Sequence, residues 1–175
     1  MIESLDITVD AAPADSAPLL ANLLELYIHD LSEIFALQPG ADGRFGYPSL
    51  PLYWSHPDTH FPFFIRLRGR AVGFALVTRG SPATDDPADL DLAEFFVLRS
   101  CRRAGVGRRA AIRLWNRMPG QWVVRASLAH QAGLRFWETT IQEYTRGAVS
   151  ITAYQGKLHP FRVFAFRSAA TPPAV

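Results

Sequence analysis

The chain has 175 residues, 49% of them apolar and 19% charged, with a formal net charge of +2. That is enough for one domain with its own core, and the balance excludes a disordered chain. The single cysteine, Cys101, excludes an internal disulfide, no apolar run reaches membrane-span length, and the acidic start Met1–Asp6 does not read as a signal peptide, so a cytoplasmic protein without a membrane partner is expected.

Leu5–Val9 alternates apolar and polar residues and predicts a first strand. From Ser16 to about Phe35 the residues Leu19, Leu20, Leu23, Leu24, Tyr27, Ile28, Leu31 and Ile34 repeat with helical period. This is one long amphipathic helix, or two that meet near Asp30-Leu31-Ser32. Gln38–Phe61 is rich in Gly, Pro, Ser and aromatics and predicts a long loop. Its aromatic residues either wall a pocket or pin the loop to the core. Phe63–Arg68 and Ala71–Thr78, joined at Gly69-Arg70, form a hairpin. Gly80–Ala88 is an exposed loop and Leu90–Leu98 a buried strand. Gly107 to about Met118 is a helix ended by Pro119-Gly120. Trp122–Arg125 is a short strand, and Gln131 to about Tyr144 a helix with Leu134, Trp137, Thr140 and Ile141 on one side. Gly147–Tyr154 and Phe161–Phe166 close the sheet. The pattern predicts a mixed α/β (α+β) domain over residues 1–170, with a central, mostly antiparallel sheet flanked by helices. Residues 171–175 form a tail.

Charge is unevenly spread. Between Glu94 and Glu138 there is no acidic residue, yet nine arginines lie there: Arg99, Arg102, Arg103, Arg108, Arg109, Arg113, Arg117, Arg125 and Arg135. A localised polyanionic ligand is implied, although some of these arginines simply form a solvated helix face. The run Arg102-Arg103-Ala104-Gly105-Val106-Gly107-Arg108 joins a buried strand to a helix. A helix start leaves backbone N–H groups unpaired and carries a positive partial charge, and glycines let a phosphate come close. The segment therefore reads as a pyrophosphate cradle. It is not a Walker A loop, because no Gly-Lys-Ser/Thr follows, nor a dinucleotide Gly-x-Gly-x-x-Gly. The scattered His56, His60, His130 and His159 lack metal-ligand spacing, so no metal is expected.

Val97-Leu98-Arg99-Ser100-Cys101-Arg102-Arg103-Ala104-Gly105-Val106-Gly107 resembles the acetyl-CoA signature of the GNAT superfamily, Val-x-Pro-x-Tyr-Arg-x-x-Gly-x-Gly. Val97, Arg102, Gly105 and Gly107 match, while Arg99 replaces the proline and Cys101 the tyrosine. The order of elements is also similar. A second family landmark, Asn-x-x-Ala-x-x-Phe-Tyr, has its counterpart in His130–Trp137. There Phe136 matches, whereas His130, Gly133 and Trp137 depart. Together with Ala93–Val97 and Tyr144-Thr145, this looks like a bacterial GNAT subgroup of predicted acetyltransferases.

The resemblance implies a single GNAT-like N-acetyltransferase domain that moves an acetyl group from acetyl-CoA directly to an amine of a small molecule or peptide. The amides of Arg103, Ala104, Gly105, Val106, Gly107 and Arg108 would hold the pyrophosphate. Val97, Leu98 and Arg99 would pair with the pantetheine arm, and an N–H near Val97 would polarise the thioester carbonyl. His130 stands where the family's asparagine contacts the arm, with a helix cap or a base as other roles, and Phe136 lies nearby. Glu94, flanked by Ala93 and Phe95-Phe96, is the first candidate base, since apolar surroundings raise a carboxyl pKa. Asp91 is the second. Strict alternation puts the two on opposite faces unless a bulge intervenes. Trp137 occupies the position of the family's tyrosine acid, which leaves Tyr144 as the nearest candidate acid. Two other readings stay open: a catalytically weak CoA-binding sensor or partner module, and a nucleic-acid-binding module, the latter without a recognised motif. A nucleic-acid partner is not expected. Homodimers are common among such domains, and nothing in the sequence decides the state here.

Overall fold

A computed structural model of the chain describes residues 6–169. Within them, seven strands form one sheet in the order β1-β2-β3-β4-β5-β7-β6. The strands are β1 (Ile7–Ala11), β2 (His60–Leu67), β3 (Arg70–Arg79), β4 (Leu90–Val97), β5 (Gly120–Ser127), β6 (Ser150–Gln155) and β7 (Pro160–Ser168). All neighbouring pairs are antiparallel except β4 and β5, which are parallel. The helices are α1 (Ala17–Phe35), α2 (Leu52–Ser55), α3 (Val106–Arg117) and α4 (Gln131–Thr145). The predicted α+β class, with a mixed and mostly antiparallel sheet between helices, is what the chain forms. Leu5 of the predicted first strand and the predicted 171–175 tail lie outside the described residues.

Two helical layers cover the sheet, and the sequence pattern explains which face each takes. On α1, Leu20, Leu23 and Leu24 are buried against Phe64, Phe74, Leu76 and Phe96 of the sheet. Each such side chain contributes roughly 2 kcal/mol when fully removed from water. On the opposite face, Ala110, Ala111, Leu114 and Trp115 of α3 pack with Leu134 and Ile141 of α4 over Ile65, Val77, Trp122 and Phe164. Of the two readings of residues 16–35, the single helix is correct. Pro18 lies in its first turn, and Ala36, at φ 51°, ends it in the left-handed conformation. The long loop proves to contain the single turn of α2, which seats Tyr53 in the core.

Two irregularities shape the centre of the sheet. Gly73 on β3 approaches β4 so closely that a Cβ there would lie 2.1 Å from the Phe96 carbonyl oxygen. Only glycine lets the end of β4 lie this near its neighbour. On β4, Leu92 faces Val77 while Glu94 faces Leu76, so Ala93 is an extra residue in the ladder, a β-bulge. β4 and β5 pair only at Leu90–Leu92 against Trp122–Val124. Beyond that point β4 runs on to Val97 and β5 to Ser127 without pairing to each other, and the sheet opens between them into a cleft.

Candidate active site

The bulge decides which side chains enter the cleft. It brings Asp91 and Glu94, three residues apart, onto the same face of β4, the face covered by α1. Tyr27, one helical turn beyond Leu23 and Leu24, donates its hydroxyl to Glu94 Oε2 at 2.6 Å. Tyr47, from the loop between α1 and α2, donates to Glu94 Oε1 at 3.1 Å. Burial raises the Glu94 pKa, as does the Asp91 charge. The two phenol hydrogen bonds and the Arg125 charge pull it down, and burial wins. The tyrosines respond in the same sense: burial, then the Glu94 charge, raises Tyr27, Tyr47 and Tyr53.

Asp91 has a different environment. It is fully buried, and Arg125 of β5 grips it from Nε at 2.9 Å and from Nη2 at 2.7 Å. Ser81 donates to its Oδ1 at 2.6 Å. The pair spans β4 and β5 just where their backbone pairing stops. Burial works against the Arg125 charge, but the Asp91 contacts more than offset it, so its pKa lies above the ordinary value. Arg125 is thus paired with Asp91, and the polar partners of Glu94 are the two phenols.

At the other end of the cleft, β4 leads through Leu98 and the short turn Arg99–Cys101 to the start of α3. Leu98 N donates to the Val72 carbonyl at 2.8 Å. Gly105 is left-handed at φ 78°, and no side chain caps the helix, so the amides of Val106, Gly107 and Arg108 lack intrahelical acceptors. Arg103 also lies in the left-handed region, at φ 64°, with Ala104 between the two. Gly107 is tightly packed: a Cβ there would lie 3.3 Å from the Phe136 ring, which itself stacks on Phe95. The first turn of α3 thus presents amides without intrahelical acceptors, next to a glycine packed against the Phe136 ring.

Asp30 of α1 accepts from Arg99 Nε at 2.8 Å and from Arg102 Nη2 at 2.6 Å. Arg102 Nε also donates to the Val97 carbonyl at 2.7 Å. His130 precedes α4, and its ring lies 2.6–3.2 Å from where a Gly133 Cβ would stand, which explains the glycine at that departure from the family pattern. Burial and the nearby Arg102 lower the His130 pKa, against a smaller opposing effect of Asp30. His130 thus lies within electrostatic reach of Arg102 of the signature turn.

Tyr144 lies elsewhere. Its hydroxyl donates to Asn116 Oδ1 at 2.8 Å, and its ring packs on Trp115 and Phe166 in the α3/α4 layer, on the opposite face of the sheet from Glu94. Trp137 sits in the same layer against Phe95, Phe136 and Trp115. The basic run is partly spent on internal pairs: Arg99 and Arg102 bind Asp30, Arg108 binds Glu143, and Arg125 binds Asp91.

The residues that sequence reasoning missed are Tyr27, Arg125 and Asp30. Tyr27 reads as one more core position of α1, and Arg125 as one of nine arginines. Their polar ends on otherwise apolar segments were the available signal. The aromatic loop proves to do both things expected of it. Tyr47 reaches the cleft, while Trp54 ties the loop down through Nε1 to the Ala12 carbonyl at 2.9 Å.

No protein-family model matches the sequence, and no curated protein matches it. Solved structures do. An acetyltransferase from Thermus thermophilus is 15% identical, with a TM-score of 0.64 over 93% of this chain and 97% of that one. The aminoglycoside acetyltransferase AAC(6')-Ib in complex with coenzyme A is 13% identical, with a TM-score of 0.66 over 93% and 95%. yncA from Salmonella typhimurium, with its cofactor acetyl-CoA, is 12% identical, with a TM-score of 0.60 over 97% and 99%. The fold is that of the GNAT acetyltransferases, as the signature resemblance implied.

Two outcomes follow from the charges on β4. Asp91→Asn leaves the Arg125 guanidinium buried beside a neutral partner and lowers stability by about 3 kcal/mol in urea unfolding; a loss under about 1 kcal/mol would show that Asp91 does not hold Arg125. Because its folded pKa is raised, Glu94 contributes stability below its unfolded pKa of about 4.3 that is lost as pH rises through the folded value. Glu94→Gln therefore raises the melting temperature relative to the parent at pH 8, and the gap closes below about pH 4. An equal gap at both pH values would refute the raised pKa.

Proposed function

We propose that the chain is an acetyl-CoA-dependent N-acetyltransferase acting on an amine of a small molecule or peptide. One conjunction carries the reading: a half-buried carboxylate on β4, Glu94, lies three residues before the strand end Val97, and that strand leads to the uncapped first turn of α3. The likeness of fold to acetyltransferases, among them AAC(6')-Ib structures with coenzyme A and kanamycin or ribostamycin, supports the same chemistry.

Acetyl-CoA would supply a thioester acetyl group. The residues present fit it: the open amides of the α3 start suit the pyrophosphate, Arg103 and Arg109 flank that turn without an ion pair among the described residues, and the separation of β4 from β5 leaves Val97–Arg99 facing the cleft. Amine acetylation needs a free lone pair, so an incoming ammonium must lose a proton. In the proposed mechanism Glu94 accepts it. Its raised pKa makes it a better proton acceptor than an ordinary carboxylate, and each of its oxygens keeps a lone pair beyond its phenol bond. The nitrogen then attacks the carbonyl carbon and the C–S bond breaks. The acetyl group passes to nitrogen, and the thiolate is reprotonated as the nitrogen sheds its second proton. Tyr144 is too far from this face to be the acid in the proposed scheme. Asp91 is assigned to holding Arg125 and the sheet opening, and Glu94 to the proton. With Arg125 neutralised by Asp91, the net negative charge of Glu94 among Tyr27 and Tyr47 suits a cationic amine.

Calorimetry and turnover test the proposal together. Acetyl-CoA should bind at micromolar concentration, and a panel of primary amines should release free thiol at a rate that Glu94→Gln lowers by about 100-fold. No binding would overturn the transferase reading. Binding without turnover on any amine would favour the CoA-binding sensor, for which the Trp137 replacement is the supporting observation.

A further inference from the structure

The loop between α1 and α2 carries Tyr47 to Glu94, yet no residue from 38 to 46 belongs to a helix or strand. Its conformation is not self-supporting. Gly43 and Gly46 adopt φ 77° and φ 71°, and the internal bonds all lie between Gly40 and Arg44: Gly40 to Arg44, Gly43 to Gly40, and the Arg44 amide to Asp42 Oδ1. The two residues before Tyr47 are hydrogen-bonded through their backbone to one side chain of α1, while the Phe45 ring also meets His29 and Tyr47 packs on the core. Glu25 accepts the Phe45 amide on Oε2 at 2.8 Å and the Gly46 amide on Oε1 at 2.8 Å, the two residues immediately before Tyr47. Arg44 adds a long ion pair at 3.9 Å, half of it exposed and therefore weak. Charge-assisted bonds to both oxygens of one carboxylate fix position and direction together.

We infer that Glu25 is a positioning residue: by clasping the backbone of Phe45 and Gly46 it holds the Tyr47 hydroxyl on Glu94. Two residues of α1 thereby govern the same carboxylate, Tyr27 directly and Glu25 through the loop. The two phenols are not equivalent. Tyr27 is locked into the helix and donates at 2.6 Å, whereas Tyr47 donates at 3.1 Å from a loop whose hold depends on Glu25. The contact that an acceptor most readily exchanges for its own N–H is therefore the Tyr47 one. The other groups facing Glu94 are Tyr53 from α2, which also interacts with the Tyr47 hydroxyl, Asp91 from β4 and Arg125 from β5, and none of them touches Glu25.

The titration of Glu94 reads this arrangement without any acceptor, so it can fail while the transferase proposal stands, and the reverse. The chain has six glutamates. Carbon-13 labelling of their side chains, with the Glu94 resonance assigned from Glu94→Gln, gives its midpoint in the full-length protein. Tyr47→Phe keeps the ring over Glu94 and removes the hydroxyl that stabilises its charged form, so the midpoint rises by about half a pH unit or more. In a Glu25→Ala background the same Tyr47→Phe change moves it by less than about a third of that shift, because the released hydroxyl no longer reaches Glu94. Glu25→Gln, which keeps one carbonyl acceptor, falls between the two and serves in place of Glu25→Ala should that variant not fold. An equal Tyr47→Phe shift with and without Glu25 would overturn the inference. So would no shift in either background.

Discussion

Three paired positions, Leu90–Leu92 against Trp122–Val124, are the whole of the backbone contact between β4 and β5. Everything functional in the proposed reading depends on where that contact stops. A longer parallel ladder would fill the cleft with backbone hydrogen bonds, and a shorter one would leave the two halves of the sheet poorly joined. The boundary is marked by the Asp91–Arg125 pair, which ties the strands by side chains at the place where main-chain pairing ends. A buried ion pair is an unreliable source of net stability, since desolvation consumes much of the Coulomb energy. Its geometric demand, two parallel N–H to oxygen contacts in one plane, suits it to fixing the spacing of two strands.

The bulge at Ala93 acts on the same strand. Without it Glu94 would face the α3/α4 layer, away from Tyr27 and Tyr47. With it, Glu94 turns to α1 and meets Tyr27 and Tyr47. α1 then links both ends of the cleft, since Tyr27 holds Glu94 and Asp30, one turn later, holds Arg99 and Arg102 of the signature turn. In the proposed reading the donor-side turn and the acceptor-side carboxylate are thereby referenced to one helix. That is how two reacting groups are kept in register at little entropic cost during reaction.

Much of this was legible in the sequence. The helical period of Leu20, Leu23, Leu24 and Tyr27, the apolar run to Val97 and the glycine turn before α3 each named an element, and their order named the fold. The bulge was foreseen only as a condition: alternation alone sets Asp91 and Glu94 apart, and no residue between them announces an extra position. Tyr144 illustrates the opposite error. Proximity in sequence to Trp137 suggested proximity to the chemistry, but the helical spacing that aligns the two packs both, half-buried, against Trp115. Arg125 and Asp30 escaped notice because their partners lie 34 and about 70 residues away, and long-range pairing leaves no local pattern.

The central claim is that the opening between β4 and β5 is a donor site running from Val97 to the first turn of α3. The most direct test follows backbone amide resonances while coenzyme A is added. The account predicts that the largest shifts fall on Val97, Leu98 and Val106–Arg108, and that β1 and β6, the two sheet edges, stay unmoved. Shifts centred on those edges, or on the exposed arginines of α3 without the amides of its first turn, would contradict it.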